Sequence, residues 1–349
     1  MSRVKLQARR QQLGRISLGL GSGLTLALLG TSALAAGLAA AQSLPAALDS
    51  AAWLRRIQHA AATSSYQGTL MYSVGGVVSS SRIVHYGDGS QRYERLEMLD
   101  GQARVQYRHN DQLLTLWPAA KVAMTEQRDG VADFPSLPLL AVTRALDNYE
   151  LRHIGKDRVA DHEVEVLMLS PRDKLRFAQR LWVDRETGLL LRNDVLGPTA
   201  DVLESAAFIE VQIGARPQPE AILRAMQRLE GYRVLRPQND RTRLETEGWS
   251  LGKVVPGFHL VSCTRRPLGM PPETGAPVPV LQSVFSDGLG HVSVFIEPYD
   301  AQRHKHAMGT SLGASHTLMA RRGDWWITVV GEVPMATMQL FEAMVERRR

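Results

Sequence analysis

Tyr66-Gln67-Gly68-Thr69-Leu70-Met71-Tyr72-Ser73-Val74-Gly75-Gly76 decides the fold class. Tyr66, Gly68, Leu70, Tyr72 and Val74 alternate with Gln67, Thr69 and Ser73, the two-residue period of a half-buried strand. Gly75-Gly76 then offers the positive-φ pair that a tight hairpin needs. The residues before it repeat differently: Leu48, Ala52, Trp53, Ile57, Ala60 and Ala61 recur at intervals of three and four, which predicts a helix from Pro45 to about Ser65 with Asp49 in its first turn.

Working toward the C-terminus, strands follow one another closely. Ser80 to Tyr86 stops at Asp88-Gly89, Arg92 to Leu99 at Asp100-Gly101, Ala103 to Tyr107 at Asn110-Asp111, and Leu113 to Trp117 at Pro118. Turn dipeptides at that spacing predict an antiparallel meander. Phe134-Pro135-Ser136-Leu137-Pro138 precedes a short helix, Leu139 to Leu146. Strands then resume at Tyr149 to Ile154, His162 to Leu169, Phe177 to Asp184, Leu189 to Val195 and Ala207 to Ile213. The expected fold class is α+β: a strongly curved antiparallel sheet, partly closed over helices, followed by a smaller α+β domain.

The texture changes at Arg216-Pro217-Gln218-Pro219, and residues 215–247 read as a linker containing one short helix, Glu220 to Glu230. The first domain is thus placed at 45–214 and the second at 248–349. Within the second, a strand runs from Val255-Pro256-Gly257-Phe258 to Thr264. Hairpins turn at Ser286-Asp287-Gly288 and Arg322-Gly323-Asp324, and a terminal helix from Pro334 carries Met335, Met338, Phe341 and Met344 on one face.

Residues 1–41 have the layout of a cleaved secretory signal: Arg3, Lys5, Arg9, Arg10 and Arg15 precede an uncharged run ending in Ala39-Ala40-Ala41. They hold five of the 41 Lys and Arg and none of the 35 Asp and Glu, so cleavage leaves 36 against 35. That near-neutrality argues against a nucleic-acid partner, and the location expected from the signal is beyond the cytoplasmic membrane, which the family resemblance set out below narrows to the periplasm. Cys263 is the single cysteine, which excludes an intrachain disulfide; its setting in Leu260-Val261-Ser262-Cys263-Thr264 reads as a small buried hydrophobe.

Signatures of catalysis are missing. His162-Glu163 continues as Val164-Glu165-Val166 and lacks the second histidine of a zinc-protease helix. His304-Lys305-His306 offers two imidazoles without a third ligand. The phosphate-cradling Gly-x-x-x-x-Gly-Lys does not occur in the chain after residue 41. No cofactor, no metal and no catalytic activity are therefore expected. The features left are an aromatic and apolar first-sheet surface, Leu70, Tyr72, Val84, Tyr86, Val105, Tyr107, Leu114 and Trp182, and the arginines Arg265, Arg266, Arg321 and Arg322 near strand ends of the second domain. The first set lines a lipid pocket or simply fills a core; the second suits an acidic peptide or is solvated.

Particular strings resemble the MucB/RseB family of sigma-E regulatory proteins: Val255-Pro256-Gly257-Phe258-His259-Leu260-Val261-Ser262, Arg265-Arg266-Pro267, Phe285-Ser286-Asp287-Gly288-Leu289, and Gly323-Asp324 leading to Ile327-Thr328-Val329-Val330-Gly331-Glu332-Val333-Pro334. Leu181-Trp182-Val183-Asp184-Arg185-Glu186-Thr187-Gly188-Leu189 is similar to a hairpin of periplasmic lipoprotein carriers. The resemblance implies an unclosed, carrier-like barrel that senses lipid or lipopolysaccharide, and a second domain that binds the periplasmic domain of a RseA/MucA-like membrane anti-sigma factor. It implies a negative regulator that shields this partner from site-1 proteolysis. A lipid or lipoprotein carrier without regulatory role is the alternative, and self-association stays open.

Overall fold

A computed structural model of the chain describes residues 49–127, 134, 141–237, 239–267 and 279–348. The expected signal segment, the run Pro135 to Leu140 and the proline-rich stretch after Pro267 lie outside the described residues. The first element, α1 (Ser50–Thr63), is capped by Asp49, whose Oδ1 accepts the Ala52 N–H at 2.5 Å. It buries Trp53, Leu54, Ile57, Ala60 and Ala61, as its three- and four-residue spacing requires.

Six strands then pair in succession: β1 (Tyr66–Val74), β2 (Val77–Gly87), β3 (Arg92–Met98), β4 (Val105–His109), β5 (Gln112–Trp117) and β6 (Val122–Gln127). Gly75 and Gly76, at φ +54° and +82°, make the two-residue turn between β1 and β2, a backbone other residues adopt only under strain. After α2 (Ala141–Asn148) come β7 (Tyr149–Val159), β8 (His162–Pro171), β9 (Ala178–Asp184), β10 (Leu190–Leu196) and β11 (Val202–Ile213). β11 returns to pair with β1, so the two runs join into one sheet whose ends do not meet: β12-β6-β5-β4-β3-β2-β1-β11-β10-β9-β8-β7, with β12 (Arg233–Leu235) added in parallel beside β6. α1 packs on the β7–β10 half, where Trp53, Leu54 and Ile57 meet Leu167, Leu169, Leu181 and Val183.

The rest of the chain supplies α3 (Pro219–Gln227), β13 (Asp240–Arg241), β14 (Trp249–Leu251), β15 (His259–Pro267), β16 (Pro279–Ser286), β17 (His291–Pro298), β18 (Met308–Leu312), β19 (Ser315–Arg322), β20 (Trp325–Gly331), α4 (Met335–Met344) and β21 (Val345–Arg347). Seven of these strands make a second sheet, β13-β15-β16-β17-β20-β19-β18, and β14 pairs with β21. α4 buries Met338, Phe341 and Met344, and the Phe341 ring stands 5.2 Å from Phe258 and 5.4 Å from Phe285. Each such ring contributes about 1.5–3 kcal/mol by leaving water. Cys263 lies in this core, its thiol pushed up by burial.

The fold is thus the expected α+β arrangement of an unclosed curved sheet and a smaller sheet domain. One expectation needs correcting. The stretch 215–247 is not a free linker: α3 packs on β3 and β4, β12 extends the first sheet, and β13 joins the second through Asp240 and Arg241 opposite Arg265 and Thr264. Strands of three and two residues are too short to show a period, which is why the sequence hides them.

Candidate functional site

The residues expected to form one apolar lining do not share a face. Partners directly opposite in antiparallel strands project to the same side. Leu70 stands opposite Ser81 and Tyr72 opposite Ser79, which puts both on the side of Tyr66, Ile83 and His85. Val84 falls on the other side, in a row that continues through Arg95, Tyr107 and Leu114; Tyr86 and Val105 share that side. A one-residue step along β2 is enough to cause the separation, because the period is two. Trp182 is buried in the same cluster as Tyr66, Ile83 and Phe208, with its indole N–H donated to Asp157 at 3.0 Å and the Arg192 guanidinium over its ring at 4.3 Å. An opening of about 400 Å³ has a mixed lining, Gly68, Ile83, Val84 and Val211 beside Gln67, Arg82, Glu210 and Gln212. The grouping of eight is therefore divided: Leu70 and Trp182 belong to the cluster around Tyr66, and Val84, Tyr86, Val105, Tyr107 and Leu114 lie on the other side of their strands.

The apolar side with depth is the one holding Tyr66. Tyr66, Ile83 and Phe208 are buried there, and Leu70, Leu96 and Phe134 pack on them half-exposed. The Tyr66 and His85 rings stack at 4.7 Å, and Phe208 meets Tyr66 edge-on. Tyr66 Oη and His85 Nε2 are both buried without a hydrogen-bond partner. Burial pushes the Tyr66 hydroxyl up. Glu94 beside His85 is held well below the carboxylate range, since Arg92 and His85 outweigh the burial that would raise it.

The four arginines are all engaged within the chain. Arg265 pairs with Glu247; Arg266 reaches across to Glu126 of β6 at 3.3 Å; Arg322 donates to the Val345 carbonyl at 2.6 Å and to Glu342 at 2.9 Å; and Arg321 donates to the Gly323 carbonyl and covers the Tyr299 ring at 3.8 Å. His304, once a metal candidate, is buried, stacked on Trp326 at 4.7 Å and 3.4 Å from Glu297. Among the described residues no three His, Cys, Asp or Glu side chains gather as a metal would need.

What the sequence did not reveal is the junction between the two sheets. Asp287, at the β16–β17 turn, takes the Arg176 guanidinium at 3.2 Å and the Tyr149 hydroxyl at 3.0 Å on one carboxylate oxygen, and the Leu289 and Gly290 N–H groups on the other. Arg176 donates also to Asp173 and to the Pro256 carbonyl, and its plane lies over Phe258 at 5.0 Å. Asn148 Nδ2 bonds the Asp287 carbonyl at 3.3 Å. Burial, then the Asp287 charge, drives the Tyr149 hydroxyl up. A second joint lies at the β18–β19 turn, where buried Glu204 accepts from Ala314 N–H at 3.0 Å, Ser315 N–H at 3.1 Å and the Tyr72 hydroxyl at 2.5 Å. The Tyr72 hydroxyl is raised by burial and by that bond. The one hint in the sequence is a pair of charges in apolar settings, Arg176 between Leu175 and Phe177 and Asp287 two residues from Phe285 and Leu289.

Two sheets joined by buried polar pins, with half-covered apolar surface beside them, suit the holding of another molecule. Comparison with known proteins decides the rest. The MucB/RseB N-terminal domain model matches residues 49–226 and the MucB/RseB C-terminal domain model residues 243–346. The chain belongs to the MucB/RseB family. It is 31% identical over 304 residues to the sigma factor AlgU regulatory protein MucB of Pseudomonas aeruginosa, spanning 84% of this chain and 89% of that one. It is 27% identical over 293 residues to the sigma-E factor regulatory protein RseB of Salmonella typhimurium, spanning 82% and 87%. A crystal structure of MucB in complex with MucA(peri) superposes with a TM-score of 0.64 at 28% identity, covering 86% of this chain and all of that one. Members of the MucB/RseB family with those names regulate sigma factors, and both halves of the family pattern are present in this chain.

Proposed function

We propose that this chain is a periplasmic negative regulator of a sigma-E-type envelope-stress response. It binds the periplasmic segment of a membrane anti-sigma factor and shields that segment from site-1 proteolysis, acting by occlusion and not by catalysis. The observation that carries the reading is the likeness, over both sheets, to MucB held in complex with MucA(peri). The basic, then apolar, then small-residue order of positions 1–41 supports export, and fractionation of cells should recover the shortened chain from the periplasm.

Release by an acyl lipid or lipopolysaccharide belongs to the same proposal. It is supported by half-exposed Leu70, Leu96 and Phe134 over the Tyr66–Phe208 cluster, which offer apolar contact with few polar groups to satisfy. The test combines the exported chain, the anti-sigma factor's periplasmic segment and a site-1 protease. The chain should slow cleavage, and added lipid should restore it; cleavage at an unchanged rate rejects the shielding role.

A further inference from the structure

Four strands end the two sheets: β12 and β7 in the first, β13 and β18 in the second. A sheet edge exposes unpaired backbone N–H and C=O groups and is a template for another chain, so edges are normally blunted by shortness, charge or irregular register. Three of these are. β12 has three residues and runs into Arg236-Pro237, and β13 consists of Asp240 and Arg241. β7 carries Glu150, Arg152, Lys156, Asp157 and Arg158, and its register shifts between His153 and Gly155.

β18 has no such protection. Met308-Gly309-Thr310-Ser311-Leu312 is uncharged, free of proline and exposed at every residue, and its only strand neighbour among the described residues is β19. Its two ends differ. At the N-terminal end Lys305 and His306 are exposed, and neither forms an ion pair among the described residues. At the C-terminal end Leu312, 55% exposed, lies against Gly75 in the β1–β2 turn, beyond which Val77 and Val78 are 62% and 58% exposed. The edge is thus basic at one end and apolar at the other.

We propose that β18 is the docking edge for an extended stretch of the anti-sigma factor's periplasmic segment, which adds as one more strand antiparallel to Met308–Leu312. In that direction the C-terminal half of the stretch meets Lys305 and His306 and is acidic, while its N-terminal half covers Leu312, Val77 and Val78 and is apolar. An acyl chain has no N–H or C=O groups to complete the ladder, and a helix has already spent its own. The inference rests on the reading that this chain grips an anti-sigma factor, and it adds where and in what conformation.

Hydrogen exchange of the exported full chain, alone and with the periplasmic segment of the anti-sigma factor from the same organism, tests it. Complex formation should slow the amides of residues 308–312 by at least about tenfold. Thr310→Glu, at an exposed position, should weaken the complex by at least about tenfold without moving the melting temperature, and Lys305→Glu should weaken it more at low salt than at high. A complex that forms with unchanged exchange at 308–312 overturns this inference and leaves the proposed function standing. Failure to form any complex removes both. Slow exchange at 308–312 in the free chain that strengthens with concentration gives the edge to a second copy of the chain, and also overturns the assignment.

Discussion

Arg176 Nη1 lies 3.2 Å from Asp287 Oδ2, and both side chains are 1% exposed or less, one contributed by the segment before β9 and the other by the β16–β17 turn. A buried pair of this kind is weak evidence for net stability but strong evidence of what a single deletion does, because the surviving charge stays out of water unpaired. Arg176→Met should cost about 3–5 kcal/mol in urea unfolding, and Arg176→Met with Asp287→Asn should recover part of it. A single variant that loses less than about 1 kcal/mol would show that water reaches the junction.

Gly313 and Gly323 form a matched pair for testing the second joint. Both sit at φ +60°, but a Cβ on Gly313 would come within 2.4 Å of Val74 Cγ2 and 2.7 Å of Glu204 Cγ, whereas one on Gly323 meets nothing within 4 Å. Gly323→Ala should therefore cost only the backbone strain, about 1 kcal/mol. Gly313→Ala should cost clearly more, read as a larger drop in melting temperature. Equal losses would mean that the β18–β19 turn does not dock on the first sheet.

Glu204→Ala removes the acceptor of two backbone N–H groups and the Tyr72 hydroxyl at once. The stranded donors should cost about 1–3 kcal/mol each where water cannot reach them. Glu204→Gln keeps one carbonyl oxygen and should lose less. Denaturant titration of the two variants gives the order, and a reversal would contradict the assigned bonding.

Stability should fall with alkali. Tyr66, Tyr72 and Tyr149 have hydroxyls raised above their ordinary value by burial. Their contribution is complete below the unfolded value near ~10 and is lost as pH rises through the folded values. Glu94 runs the other way: held low in the folded chain, it contributes above ~4 and is lost as pH falls toward its folded value. Unfolding free energy measured across pH should decline at both ends, and Tyr149→Phe should flatten part of the alkaline limb.

Replacing Arg265 and Arg266 by alanine tests whether they hold the partner. Each already bonds within the chain, to Glu247 and to Glu126, in half-exposed surroundings, so stability should change by no more than about 1 kcal/mol. Affinity for the anti-sigma segment should stay within about threefold, a shift of less than ~1 kcal/mol. A tenfold loss would restore them as contacts.

Much of the fold was legible. Alternation, as in Tyr66–Val74, and turn dipeptides such as Gly75-Gly76, Asp88-Gly89 and Asp100-Gly101 made the meander legible, and Trp53, Ile57, Ala60 and Ala61 marked the α1 face. Short or exposed strands were not: β6 falls in a region without recognisable pattern, and β18 is uncharged and exposed on both sides, so no period marks it. The pocket grouping failed for a different reason. Alternation assigns side chains to faces within one strand, but which faces of neighbouring strands coincide depends on register, and Leu70 stands opposite Ser81, not Val84. The junction was hidden most completely, since Arg176 and Asp287 are 111 residues apart and only the folded chain makes them partners.

The weaving of residues 215–247 into both sheets has a practical bearing on how this protein can be taken apart. Cutting the gene between α3 and β12 would strip β12 from the side of β6, and cutting it between β13 and β14 would strip β13 from the side of β15, each leaving a raw margin that invites clumping. A break at residues 236–239, by contrast, leaves both strands on their own sheets. Activities or interactions assigned from halves broken outside that window would describe fragments with damaged borders, so dissection needs either a break placed there or point substitution in the intact polypeptide.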